Sequence, residues 1–120
     1  MNQHADSLRG YSYPVHKRDN FRCQYCGLDG TRSLDDWLTL SLDHLLPPHH
    51  PKRDDPKYMV TACKFCNTAD NLYFKNAKKR GLKFDGLSRR QLVRQRLPYV
   101  LETRKKYEEF WIKKVKKKSK

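Results

Sequence analysis

Two short stretches decide the fold: Cys23-Gln24-Tyr25-Cys26, followed by Gly27, and Val60-Thr61-Ala62-Cys63-Lys64-Phe65-Cys66-Asn67. Each holds a Cys-x-x-Cys pair, whose two-residue spacer lets a tight turn aim both thiolates at one ion. Gly27 suits a knuckle that needs positive φ. Two disulfides in a small secreted domain would use the same cysteines. Residues Met1 to Asp6, however, contain no apolar stretch that reads as a secretory signal. A redox Cys-x-x-Cys normally occurs once rather than twice. The pairs therefore read as one structural zinc site made by Cys23, Cys26, Cys63 and Cys66, whose metal contributes folding free energy directly.

The segment between the pairs supplies a hairpin. Leu38-Thr39-Leu40-Ser41-Leu42 alternates apolar and polar, which predicts a half-buried strand with Leu38, Leu40 and Leu42 on one face. Asp43 and His44 fall at its end, and Leu45-Leu46-Pro47-Pro48 closes the ladder. Residues 49–57, with Pro51, Pro56 and five charged side chains, read as an exposed loop. Tyr58-Met59-Val60-Thr61-Ala62 reads as a second strand. Asn67 is expected to open a helix through Leu72 and Tyr73, both facing the sheet, as far as Arg80, where Gly81 stops it.

Leu42-Asp43-His44-x-x-Pro47 between the cysteine pairs, with Asn67 directly after Cys66, resembles the HNH endonucleases, which are ββα-metal nucleases with a zinc-bound knuckle. The lead-in Val15 to Arg22 also looks like the segment before the first knuckle in that family. The resemblance implies an α+β fold, a small ββα-metal core with zinc knuckles, here followed by a basic helical C-terminal extension. It implies His44 as general base, and Asp43 and Asn67 as ligands of a catalytic divalent ion, Mg²⁺ or Mn²⁺. The chemistry suits those types. Imidazole, with an ordinary pKa of about 6.5, is available as a neutral base near pH 7. A hard divalent ion takes carboxylate and amide oxygens. Adjacent strand residues point to opposite sides, so Asp43 and His44 can share a site only where the strand bends, and Pro47 and Pro48 predict such a bend. The family's middle Asn commonly sits two residues before Val60, where this chain has Tyr58. Tyr58 and the loop residue His50 are accessory candidates beside the base.

The charge belongs elsewhere. Lys and Arg number 27 against 13 Asp and Glu, a net of +14 over 120 residues of which 37% are hydrophobic. Mean hydropathy is −1.02, so the core is expected to be modest and to need a staple such as a bound metal. No uncharged run is long enough to cross a bilayer. Residues 1–77 hold 10 basic and 9 acidic residues, a net of +1, whereas residues 78–96 hold 8 and 1, a net of +7. Residues 103–120 hold 9 and 2, again +7. The near-neutral front, residues 1–80, reads as the zinc-stapled nuclease core. The basic back, residues 81–120, reads as a helical extension packing on it.

In that extension Ser88-Arg89-Arg90-Gln91 reads as a capping box. Leu92, Val93, Leu97, Val100 and Leu101, continued by Tyr107, Phe110, Trp111 and Val115, form an apolar face expected to be core, with a dimer seam as the alternative. Monomer and homodimer both stay open. Pro98 is expected to kink the helix or split it at 97/98. Lys78, Lys79, Arg80, Arg89, Arg90, Arg94, Lys113 and Lys114 are expected to meet phosphates, with Arg96 and Arg104 on the same polar face. The expected partner is nucleic acid, DNA in the first place, with no membrane. The expected place is intracellular, cytoplasmic or nucleoid-associated. A metal-dependent endonuclease that nicks one strand per active site is the leading class, and a noncatalytic zinc-containing DNA-binding module is its competitor.

Overall fold

A computed structural model describes residues 12–116. Its elements in chain order are α1 (Ser12–Arg18), α2 (Leu34–Leu38), β1 (Leu40–His44), β2 (Met59–Cys63), α3 (Lys64–Thr68), α4 (Ala77–Arg80) and α5 (Arg89–Phe110). A 3-10 turn, Pro56–Tyr58, precedes β2, and a π-helical turn, Trp111–Val115, extends α5. The fold is α+β, a two-stranded sheet with helices on both faces. Residues 117–120, the end of the lysine-rich tail, lie outside the described range.

The hairpin organises everything else. β1 pairs antiparallel with β2 in the register Leu40↔Cys63, Ser41↔Ala62, Leu42↔Thr61, Asp43↔Val60 and His44↔Met59. The ladder stays regular to His44, so strand alternation sends Leu40, Leu42 and His44 to one face and Ser41 and Asp43 to the other. α1 covers the first face, where His16 Nδ1 lies 2.7 Å from Thr61 Oγ1. α3 and α5 cover the second. There Val60, Ala62, Leu45, Leu46, Leu92 and Val100 join the cysteines and Tyr25 in the buried cluster.

Several expected boundaries move. Leu38 ends α2 rather than starting the strand, because Ser33 caps that helix by accepting from Asp36 N, with Asp35 and Asp36 in its first turn. Helix α3 begins at Lys64 with Cys63 as N-cap, so Asn67 sits inside the helix rather than opening it. The expected long helix to Arg80 is two short ones, with Gly81 capping the second at φ 72°. Tyr73 is buried as expected, but Leu72 is exposed.

Helix α5 carries the capping box in full, with Ser88 Oγ accepting from Gln91 N and the Gln91 side chain accepting from Ser88 N. It runs through Pro98 as one helix of 22 residues, so of the two expected outcomes, a kinked single helix or a split at 97/98, the split does not occur. Leu92, Arg96 and Val100 are its buried stripe. The distal part outruns the core. Leu101, Tyr107, Phe110, Trp111 and Val115 are exposed rather than packed as the apolar pattern suggested.

Candidate active site and metal centre

The two knuckles meet around the cysteines. The first turns back on itself, with Cys23 N donating to Leu28 O and Gly27 N, at φ 80°, donating to Cys23 O. In each knuckle a backbone N–H points at the first sulfur, Cys26 N to Cys23 Sγ at 3.5 Å and Cys66 N to Cys63 Sγ at 3.4 Å. Gln24 N donates to Thr61 O and ties the first knuckle to β2.

All four sulfurs lie within 4.8 Å of one another. A tetrahedral zinc–thiolate centre with 2.3 Å bonds has S···S edges of about 3.8 Å, and Cys26 Sγ and Cys63 Sγ are 3.9 Å apart. The donor set fits. Arg104, expected on the phosphate-facing side, lies 3.9 Å from Cys66 Sγ through Nη1, a cation placed against the excess negative charge of a four-thiolate zinc centre. Packed together, the thiols compete for protons: hydrogen bonds from Cys63 and Cys66 pull Cys23 down, while Cys23 pushes Cys63 up to about 11. A divalent cation relieves that competition by taking all four as thiolates.

His44 lies at the end of β1 with its side chain 29% exposed, and Asp54 Oδ1 stands 3.5 Å from Nε2. Partial burial, then the nearby Arg53, lower its pKa from 6.5, and Asp54 only partly opposes them. The imidazole is therefore held neutral at pH 7, the state a base needs.

Asp43 is placed otherwise than expected. It is 1% exposed, on the face opposite His44, and the expected bend is absent. The Tyr25 hydroxyl donates to Oδ2. Arg96 Nη1 donates to Oδ1 at 2.8 Å. Burial pushes the carboxyl up to about 6 although Arg96 and Tyr25 both favour the charged form. Asn67 turns its amide N–H groups to Ser41 Oγ and Leu42 O, each at 2.9 Å, and so ties α3 to β1. The structure therefore does not bring His44, Asp43 and Asn67 together around one open position. Asp43, with both carboxylate oxygens engaged, does not fit an ion as it stands.

The accessory candidates also point elsewhere. Tyr58 packs against the core cluster, and Asp54 is the group beside His44. His50 Nε2 lies 2.8 Å from Asp85 Oδ1 and its Nδ1 accepts from Lys52 N, which fastens the loop to the connector before α5. Of the expected phosphate contacts, Lys78, Lys79, Arg90, Arg94, Lys113 and Lys114 are exposed. Arg80 pairs with Asp70 at 2.6 Å and Arg89 reaches Lys57 O at 3.3 Å. Arg89, Arg90 and Arg94 line a cavity of about 300 Å³ together with Asp19, Val60 and Leu97.

Residues 23–71 match the HNH endonuclease family. The HNH segment thus holds both knuckles, the hairpin and α3, and it stops before α4 and α5. The resemblance carried by Asp43-His44-x-x-Pro47 and Cys66-Asn67 is borne out over that stretch. No curated protein and no solved structure gives a significant match to the chain. No helix among the described residues is long and apolar enough to cross a membrane.

Tyr25 and Asp54 carry no role in the sequence motifs, and Arg96, expected on the polar face, is buried instead. Only Arg96 has a local signal. It lies four residues from both Leu92 and Val100, which puts it on the buried stripe rather than the polar face.

Proposed function

We propose that the chain is an HNH-type endonuclease that hydrolyses phosphodiester bonds of nucleic acid, DNA in the first place, cutting one strand per active site. The observation that carries this is His44. It lies inside the HNH segment at the Asp-His-x-x-Pro position, partly exposed at a strand end, and its imidazole is held neutral.

A neutral imidazole removes a proton from a water whose oxygen attacks phosphorus, and the P–O bond to the leaving oxygen breaks in line. That oxygen takes a proton from solvent water while the imidazolium returns its own to solvent. Asp54 orients the ring and stabilises the imidazolium that forms. Arg53 supplies positive charge beside it for the phosphate. Asp43, expected as a ligand of Mg²⁺ or Mn²⁺, is instead engaged within the core by Tyr25 and Arg96. The four cysteines hold structural zinc, which fixes the hairpin that presents His44.

Substrate is gripped outside the HNH segment. Lys78, Lys79, Arg90, Arg94, Lys113 and Lys114 take phosphates, with Arg80 and Arg89 contributing from beside their present partners. This grip reads no bases, so cleavage has little sequence preference. The reading places the protein with nucleic acid, in cytoplasm or nucleoid.

One observation favours a second reading, a zinc-containing DNA-binding module without turnover: Asp43 is locked in the core while Tyr58 replaces the family's middle Asn. Nicking of supercoiled plasmid by zinc-loaded protein, beside His44→Ala, separates the two. Open circles ahead of linear product from the wild type alone support the nuclease. Open circles from both proteins remove His44 as base, and none from either, with binding intact, leaves the module.

A further inference from the structure

Asp43 and Asn67 are the two residues that the HNH resemblance assigns to a divalent ion, and a guanidinium lies between them. Arg96 Nη1 donates to Asp43 Oδ1 at 2.8 Å, and Nη2 donates to the backbone carbonyl of Asn67 at 3.1 Å. We propose that Arg96 is the resident cation of this HNH segment, bridging Asp43 and Asn67 in the folded protein, and that Asp43 anchors α5 instead of ligating metal.

The surroundings are those of a built cation site. The side chains of Arg96 and Asp43 are 5% and 2% exposed. The guanidinium carbon stands 5.0 Å from the Tyr73 ring centroid, 5.6 Å from that of Phe74 and 5.9 Å from that of Tyr25. Aromatic faces at this range attract a desolvated cation. A planar fork that meets an acid and a carbonyl at once is arginine's geometry and not lysine's.

Charge and ligand number exclude an added ion here. The pair is neutral, −1 from Asp43 and +1 from Arg96, so a divalent ion beside it would leave a net +2 in a buried pocket. Desolvating uncompensated charge is strongly unfavourable. Magnesium also asks for near-octahedral oxygen ligands at about 2.0–2.1 Å, whereas both oxygens of this carboxylate are engaged.

The consequence is a changed division of labour. In place of a soluble ion joining strand to helix, the join is made by a side chain from α5, the helix that carries Arg90 and Arg94. The phosphate-binding helix is thereby locked to the strand that presents His44.

The test uses Mn²⁺ as probe on the zinc-loaded full chain. Titration is followed by electron paramagnetic resonance for the wild type, Asp43→Asn and the paired replacement Asp43→Leu with Arg96→Leu, which leaves no buried charge unpaired if the single variant fails to fold. The expected result is that wild type and folded variants bind Mn²⁺ alike. A wild-type Mn²⁺ site that weakens tenfold or more when Asp43 is replaced, with zinc content and circular dichroism retained, overturns the proposal. Paramagnetic broadening in the wild type decides it without any variant. The Asn67 and Arg96 amide signals should survive stoichiometric Mn²⁺, and their selective loss contradicts the assignment. Neither readout depends on cleavage, so an inactive protein would still decide the matter.

Discussion

Arg96 and Asp43, 53 residues apart in sequence, form a buried ion pair at 2.8 Å. One partner belongs to the HNH segment and the other to the basic helix beyond it. The pair is the electrostatic join between the part of the chain that presents His44 and the part that carries most of the positive charge. Around it Leu92 and Val100 enter the same buried cluster as the zinc cysteines. The stretch of α5 from Leu92 to Val100 is thus part of the core.

Breaking that pair from one side should be costly. Arg96→Ala leaves Asp43 buried without its partner and is expected to lower stability by about 3–5 kcal/mol, a large share of the roughly 5–15 kcal/mol of a small domain. Replacing both partners by leucine should cost much less, since an apolar pair of similar size avoids desolvating charge. Urea unfolding of the two variants measures the difference. Equal losses would show that packing rather than charge dominates at this position.

How much of this was legible in the sequence depends on whether the signal is local. Both knuckles, the hairpin and the Ser88 capping box are spelled out by spacing within a few residues. Asp43 and His44 were expected to share a site, which needed a bend that Pro47 and Pro48 do not impose, because the ladder holds to His44↔Met59. Arg96 was counted with the polar face because arginines are usually exposed. Its spacing from Leu92 and Val100 was the local clue, and its partner lies far along the chain. β1 starts two residues later than the alternation from Leu38 predicts, because Ser33, Asp35 and Asp36 make a helix start that takes in Leu38. Tyr25 sits inside a knuckle, where nothing in the spacing says which way its ring points.

Removing zinc should dissolve the front of the molecule. The four sulfurs gather residues 23–26 and 63–66 around one point, and a structural zinc site contributes folding free energy outright. A strong chelator, or Cys63→Ser, is expected to abolish cooperative thermal unfolding. Retained cooperative melting after verified zinc loss would contradict a structural role.

His44 sets a pH signature. Its folded pKa is lowered from 6.5, so the unfolded chain binds more protons in the window just below that value. Its contribution to stability is present above about pH 6.5 and is lost as pH falls through the folded pKa. A base must be neutral to act, so the cleavage rate should be flat near pH 7 and fall only below 6.5. A rate that still climbs between pH 7 and 8 would point to a different base.

The basic surface should show in salt dependence. Replacing Arg90, Arg94, Lys113 and Lys114 together by glutamine is expected to make the plot of log K against log salt shallower by up to about 3–4, at roughly 0.9 per duplex phosphate contact. Cutting the chain after Leu87 is not an equivalent experiment, because it also removes Leu92, Arg96 and Val100 from the core. An unchanged slope in the quadruple variant would place the nucleic-acid surface elsewhere.

The most direct measurement is the single-turnover rate of phosphodiester cleavage at pH 7 by zinc-loaded wild type beside His44→Ala, with protein in excess over a labelled duplex. A general base contributes about 10²–10⁴-fold. The predicted result is measurable cleavage by the wild type and a fall of at least about a hundredfold in the variant, with unchanged duplex binding. Equal rates in the two proteins would contradict the assignment of His44 as the base.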